Sequence, residues 1–291
     1  MIESPNVHVT HHQREGGAVA VVTLDREAKL NALDSDIMDQ FVAAMDSLAR
    51  DETLRCLVLT GAGGRAFVAG ADIEELAQIA FPAEARSFIG RVHACCDAVR
   101  NFPAPVIARI NGHALGAGLE LAAACDLRIA AEGATFGMPE VRLGIPSVIE
   151  AALLPGLIGW GRTREMLLFG ETYDAHAAFN MGLVEAVVAR DQLDASVEHH
   201  IDALFGAGRE AVRLQKALIR RWETLPLREA ILAGIDVFGH AFTTDEPGET
   251  MRAWSKLSAI KPRPTVSVAR KGGKQPARGR VGAVKTARGK R

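Results

Sequence analysis

The chain has 291 residues, of which 48% are hydrophobic and 24% charged, which excludes a mainly disordered protein. No apolar run approaches the ~18 residues a membrane helix needs, and residues 1–15 lack the apolar stretch of a secretory signal. The net charge of −1 is unevenly spread: residues 261–291 hold 11 of the 34 Lys and Arg and none of the 35 Asp and Glu, leaving 23 basic against 35 acidic residues in the first 260. The four cysteines, Cys56, Cys95, Cys96 and Cys125, form no CxxC pair and no zinc spacing, so free thiols, a cytoplasmic location and no metal site are expected.

In chain order, Val19 to Leu24 is a β-branched run that predicts a strand. Asp34 offers N-cap chemistry to a helix on which Ile37, Phe41, Met45 and Leu48 recur at helical spacing. Arg55 to Thr60 predicts a second strand, Ala83 to Arg100 a helix, and Pro103 and Pro105 stop that helix before the strand Val106 to Ile110. Leu127 to Ala131 predicts another strand. Strands alternating with helices indicate an α/β fold with crossover connections. Beyond about Val188 the pattern turns helical, over Leu193 to Phe205, Arg209 to Trp222, Leu227 to Phe242 and Gly248 to Leu257. From Pro262 onward no apolar periodicity survives, and a disordered basic tail is expected.

Three segments carry candidate chemistry. In Ala66–Leu76 a glycine, Gly70, precedes a helix start, where unsatisfied amides and the positive end of the helix dipole suit a developing oxyanion; a plain turn is the bland alternative. In Ile110–Ala124 a strand again runs through small residues into an apolar helix. There Glu120 sits among Leu119, Leu121 and alanines, costly company for a carboxylate that is neither paired nor working. In Thr135–Pro146, Glu140 lies in a mostly apolar loop. Gly112, Gly116 and Gly118 do not make a GxGxxG dinucleotide fingerprint, and no GxSxG elbow occurs. His113 reads as a packing residue, and His11, His12, His199 and His200 as surface groups.

Taken together, Leu24–Arg26, Asn31–Leu33, Phe67–Asp72, Asn111–Glu120, Ala124–Ala130, Phe136–Glu140 and Gly182–Val188 resemble, in order, the motifs of the crotonase (enoyl-CoA hydratase/isomerase) superfamily. The resemblance implies a core of repeated ββα units wound into a spiral over residues 1–195, then a helical trimerisation region over 196–260 and the basic tail from 261. It implies a homotrimer, or a hexamer of two trimers, acting on acyl-CoA thioesters, with coenzyme A as part of the substrate and no further cofactor. It places an oxyanion hole on the amides of Ala71 and Ala117 and the two carboxyls of a hydratase on Glu120, which activates water, and Glu140, which exchanges the proton at C2. Contacts to substrate and coenzyme A fall on Arg26, Ala28 and Lys29, and on Ala69, Gly70, Asp72, Ile73 and Gly116.

Two carboxyls in an apolar pocket should split their pKa values and share one proton. Retention of both favours hydration over isomerisation, in which one carboxyl commonly suffices. The segment Ile145–Pro155 departs from the Pro-Gly-x-Gly-Gly-Thr stretch usual in hydratases: it is one residue shorter and bulkier. It introduces Glu150, expected either to face solvent or pair with an arginine such as Arg162, or else to act as a third acid/base group suited to isomerisation or an unusual acyl group. The basic tail offers a rival of another class, a salt-sensitive polyanion binder; it lacks aromatic residues for base stacking, and a solubility tail is the preferred reading.

Overall fold

The structure, a computed structural model, describes residues 5–258. The tail expected over 261–291, with its polyanion-binding reading, lies outside the described residues. Met1–Thr250 gather into one compact unit; of the second unit, Met251–Arg291, the described part is the end of a helix.

Two sheets organise the first unit. The larger has the order β1 (Val7–Arg14), β2 (Gly17–Leu24), β3 (Leu54–Gly61), β5 (Val106–Ile110), β7 (Leu127–Ala131) and β10 (Ala186–Val188), parallel throughout except for the β1–β2 hairpin. The smaller has the order β4 (Ala66–Val68), β6 (His113–Leu115), β8 (Thr135–Gly137) and β9 (Thr172–Asp174). Three times the chain lays one strand in the larger sheet and the next in the smaller: β3 then β4, β5 then β6, β7 then β8. After each pair it turns into helix. These helices are α2 (Ile73–Leu76) with α3 (Pro82–Arg100), then α4 (Ala117–Ala124), then two 3-10 turns (Pro139–Leu143 and Ile149–Leu153) leading into α5 (Leu154–Phe169). Each ββα unit thus advances one place in both sheets, which is a spiral. The nearly unbroken apolar runs of β3, β5 and β7 follow from burial on both faces.

Helix α1 (Ser35–Leu48) starts where its cap predicts: the Asp34 carboxylate accepts from the Ile37 amide at 2.9 Å, and Ile37, Phe41, Met45 and Leu48 are buried. The turn before it is pinned by Asn31, left-handed at φ 59° and 1% exposed. Its Oδ1 accepts from the Arg26 amide, and its Nδ2 donates to the carbonyls of Ala62 and Ala66. Asn31→Ala would strip partners from three backbone groups and remove a residue type that tolerates this backbone. It should cost about 3 kcal/mol, read as a lower midpoint with unchanged slope in urea denaturation.

Beyond α6 (Ala175–Met181), four helices follow: α7 (Leu193–Phe205), α8 (Arg209–Trp222), α9 (Leu227–Ala241) and α10 (Glu246–Ser258). The boundary expected at 195/196 falls inside α7. That helix lays Leu193, Val197 and Ile201 on Val19, Cys56, Val58, Ile107 and Ile129, so it closes the outer face of the larger sheet. Helix α9 differs: Leu227, Ile231, Ile235 and Phe238 form an exposed apolar stripe.

Candidate active site

Parallel pairing of β4 with β6 sets their C-terminal ends side by side, so the two chain exits meet. The first exit runs Ala69–Gly70–Ala71 into α2. Leu33 forms a parallel bridge with Ala71, donating to the Gly70 carbonyl at 2.9 Å and accepting from the Asp72 amide at 2.8 Å. A parallel bridge uses the groups flanking the bridged residue, so the amide of Ala71 itself points the other way. The second exit is Gly116, the N-cap of α4, with φ 52° and ψ −125°. The Ala117 amide is the first of that helix, and among the described residues neither it nor the Ala71 amide has a protein acceptor. The two turns nearly touch: a Cβ built on Gly116 would lie 3.9 Å from the Cα of Gly70.

Both amides border one cleft, lined also by Ala69, Gly70, Ile73, Glu120 and Glu140. Every residue of α4 is buried, which excludes a solvated face for Glu120. Glu120 is 4% exposed, and its Oε1 accepts from the Ala151 amide at 3.1 Å. Burial pushes Glu120 up to about 8; the Ala151 amide opposes this, and the charges of Glu140 and Glu150 add to it. Glu140 sits on the 139–143 turn, half-buried. Its Oε2 accepts from the Ser147 hydroxyl at 2.8 Å, and its Oε1 lies 2.3 Å from where a Gly116 Cβ would be. The cleft continues into an apolar groove of about 560 Å³ between α2–α3 and the 143–148 loop, walled by Ile73, Leu76, Phe88, Ile89, Leu143 and Ile145. Sequence reasoning singled out neither Phe88 nor Ile89 within the helix it read over Ala83 to Arg100.

Other expected site residues lie outside this lining. Arg26, expected at coenzyme A, is committed inside the protein: its guanidinium pairs with Asp34 and Asp72, each at 3.0 Å, and donates to the Ala32 carbonyl. Asp72 is 6% exposed and caps α2. Its burial opposes charge, but Arg26 and the amides of Glu74 and Glu75 outweigh this and hold the carboxyl below its ordinary value. Arg26 and Asp72 therefore hold the first exit rather than face the cleft. Ala28 and Lys29 are exposed on a 3-10 turn whose next residue, Leu30, accepts from the Ala69 amide at 3.1 Å, so this turn adjoins the cleft at Ala69. Lys29 pairs with Glu74.

Glu150 corrects the expectation of a solvated or arginine-paired group. It is 7% exposed, and Arg162 pairs instead with Glu165, one helical turn away. The partner of Glu150 is His93 of α3, Nδ1 to Oε1 at 2.9 Å, a residue that sequence reasoning passed over. Among the described residues no three His, Cys, Asp or Glu side chains are grouped to hold a metal ion, and no helix is long and apolar enough to cross a membrane.

Comparison with known proteins identifies the family and the fold. Residues 14–258 match the family model described as enoyl-CoA hydratase/isomerase. The crotonyl-CoA hydratase of Syntrophomonas wolfei is 36% identical over 237 residues, covering 81% of this chain and 91% of that protein. The short-chain-enoyl-CoA hydratase of Clostridium acetobutylicum is 34% identical, covering 84% and 94%. Among solved structures, an enoyl-CoA hydratase from Mycobacterium smegmatis superposes with a TM-score of 0.81 at 30% identity, covering 88% of this chain and 98% of its own. One from Bacillus anthracis superposes with a TM-score of 0.80 at 32% identity, covering 86% and 96%. The fold is crotonase-like, and the chain belongs to the enoyl-CoA hydratase/isomerase family.

Proposed function

We propose that the protein is an enoyl-CoA hydratase, adding water across the 2,3 double bond of 2-enoyl-CoA thioesters. The observation that carries this reading is the meeting of two carboxyls, Glu120 and Glu140, with two acceptor-free amides, Ala71 and Ala117, around one cleft. The amides receive the thioester oxygen and stabilise the enolate that forms when C3 is attacked. Glu120 and Glu140 hold one proton between them. One carboxylate takes a proton from water as its oxygen bonds to C3, and the other carboxyl supplies a proton to C2, so no net proton is consumed. The family pattern gives water to Glu120 and C2 to Glu140, so the reacting form is the tautomer in which the shared proton has passed from Glu120, where burial favours it, to Glu140. The acyl chain lies in the apolar groove, and the coenzyme A portion runs past Ala69 and the 26–30 turn. Coenzyme A belongs to the substrate, and no other cofactor is needed. The apolar stripe of α9 supports self-association, and we assign it to a homotrimer or a hexamer built from one.

The test is hydration of crotonyl-CoA, followed as loss of the conjugated thioester absorbance. Turnover on short or medium 2-enoyl-CoAs is expected; inertness on all of them, with isomerisation of 3-enoyl-CoAs instead, overturns the reading in favour of isomerase chemistry. The pH profile is a second expected outcome. The active form is the singly protonated pair, and its last proton leaves at about pH 8, the value to which Glu120 is raised. The kcat/KM should therefore fall as pH rises through about 8, since this ratio reports the free enzyme.

A further inference from the structure

Among the described residues, the one hydrogen bond to the Glu140 side chain comes from the loop that follows it. The 139–143 turn ends at Gly144, whose φ of 80° reverses the chain, and the Ile145 amide donates to the Glu140 carbonyl at 3.2 Å. The reversal brings Ser147 back against the Glu140 carboxyl, where its hydroxyl donates to Oε2 at 2.8 Å. The neighbours of Ser147, Pro146 and Val148, wall the apolar groove. Ser147 is thus a polar group set in an apolar wall, with Glu140 beside it in the lining of the cleft. The bond makes the two carboxyl oxygens unequal. Oε2 is taken by Ser147. Oε1 lies on the Gly116 side, 2.3 Å from where a Cβ on that glycine would be, and Gly116 caps the helix whose first amide is that of Ala117. A protonated carboxyl carries its hydrogen on one oxygen only, and an oxygen that already accepts a hydroxyl hydrogen is the worse place for it. The proton therefore sits on Oε1.

We propose that Ser147 is a positioning residue for proton transfer at C2: by occupying Oε2 it keeps the exchanging proton of Glu140 on Oε1, on the side of the Ala117 amide. The proposal rests on Glu140 serving C2. In that step the Oε1–H bond breaks, the electron pair of the enolate forms the C2–H bond and restores the thioester carbonyl, and Glu140 is left as a carboxylate that still accepts from Ser147. Without the hydroxyl nothing in the protein fixes the last torsion of Glu140, which is soft and nearly two-fold for a carboxyl. The oxygens then trade places, and the proton spends part of its time on the one turned away from C2. Ser147 thus acts through Glu140 rather than on the substrate. It follows Pro146 where the usual hydratase stretch has glycine, which carries no hydroxyl, so the device belongs to this chain's own sequence.

The test isolates the C2 step. Hexanoyl-CoA has no double bond to hydrate, so loss of its C2 proton to Glu140 and return of a deuteron from D2O, followed by mass spectrometry with the full-length protein, reads this transfer alone. Ser147→Ala should slow the exchange about tenfold, the scale of one charge-assisted hydrogen bond. Its Kd for hexanoyl-CoA should stay within about threefold of wild type, because the hydroxyl serves the transfer and not binding. Ser147→Thr keeps the hydroxyl and should restore exchange to within about threefold of wild type. In crotonyl-CoA hydration, Ser147→Ala should lower kcat by the same factor and should lower it no further in a Glu140→Gln background, because it acts through Glu140. Unchanged exchange in Ser147→Ala, a threonine variant as slow as the alanine one, a loss carried by Kd, or a full further loss beside Glu140→Gln overturns the proposal. A wild type that exchanges C2 but hydrates no 2-enoyl-CoA sinks the hydratase reading and leaves the role of Ser147 standing on the exchange ratios. One that hydrates crotonyl-CoA but exchanges too slowly to read puts the same ratios on kcat, where equal values for wild type and Ser147→Ala overturn the proposal. One that does neither overturns both.

Discussion

Glu120→Gln should abolish most activity and yet make the protein more resistant to unfolding at alkaline pH. The loss of turnover follows from removing one of two proton-transfer groups and should be at least about a hundredfold in kcat. The gain follows from burial. In the unfolded chain this carboxyl titrates near 4.5, and in the folded protein near 8. Between these values the native state keeps a proton that the unfolded state has released, so the native state binds more protons and stability declines as pH rises. At 1.36 kcal/mol per pH unit the penalty builds to roughly 4 kcal/mol by about pH 8 and is absent below about pH 4.5. Glutamine cannot ionise and escapes it. Its stability relative to wild type, measured by urea denaturation at pH 5 and pH 8, should therefore rise by a few kcal/mol across the interval. A constant difference would mean that Glu120 is not held protonated by its surroundings, and the shared-proton scheme would lose its footing. Glu140→Gln should show the activity loss as well, because Glu140 is the other proton-transfer group of the cleft.

How far such behaviour is legible in the sequence depends on the range of the interaction. Local signals were sufficient for β5, β7, α7 and α8, whose bounds match the apolar runs and helical periodicity residue for residue. The cap of Asp34 and the apolar company of Glu120 are also local, and both appear in the structure as expected. The smaller sheet was not legible. Its strands β4, β6, β8 and β9 are three residues each, too short for a period of two to show, and they exist because the larger sheet carries them into register. Long-range pairing was invisible as well. Arg26 looks free for a phosphate until Asp72 comes within 3.0 Å of it, and His93 looks like any solvated helix histidine until Glu150, 57 residues on, packs beneath it. Ala71 and Ala117 could be placed from the order of the motifs, but the direction of their amides follows only from the Leu33 bridge and the backbone angles of Gly116.

Those backbone angles lead to the other large effect. Gly116→Ala should lower kcat/KM by at least about a hundredfold, the cost of losing one oxyanion donor or one acid/base group. At φ 52° and ψ −125° only glycine is comfortable, so a Cβ strains the turn that aims the Ala117 amide. The same Cβ would sit 2.3 Å from Glu140 Oε1. A carboxylate at the end of a flexible side chain can swing away, so the fold survives, but the group leaves the place from which it reaches C2. One methyl group therefore disturbs an amide and a carboxyl of the same cleft at once. Gly159→Ala supplies the control: Gly159 also has a positive φ, 72°, but nothing lies within 4 Å of its Cβ. It should lose about 1 to 2 kcal/mol of stability from strain and keep kcat/KM within about threefold of wild type, the reading for a variant that leaves transition-state contacts intact. If Gly116→Ala behaves like Gly159→Ala, neither the direction of the Ala117 amide nor the seat of Glu140 limits the reaction, and the cleft's chemistry must be assigned elsewhere.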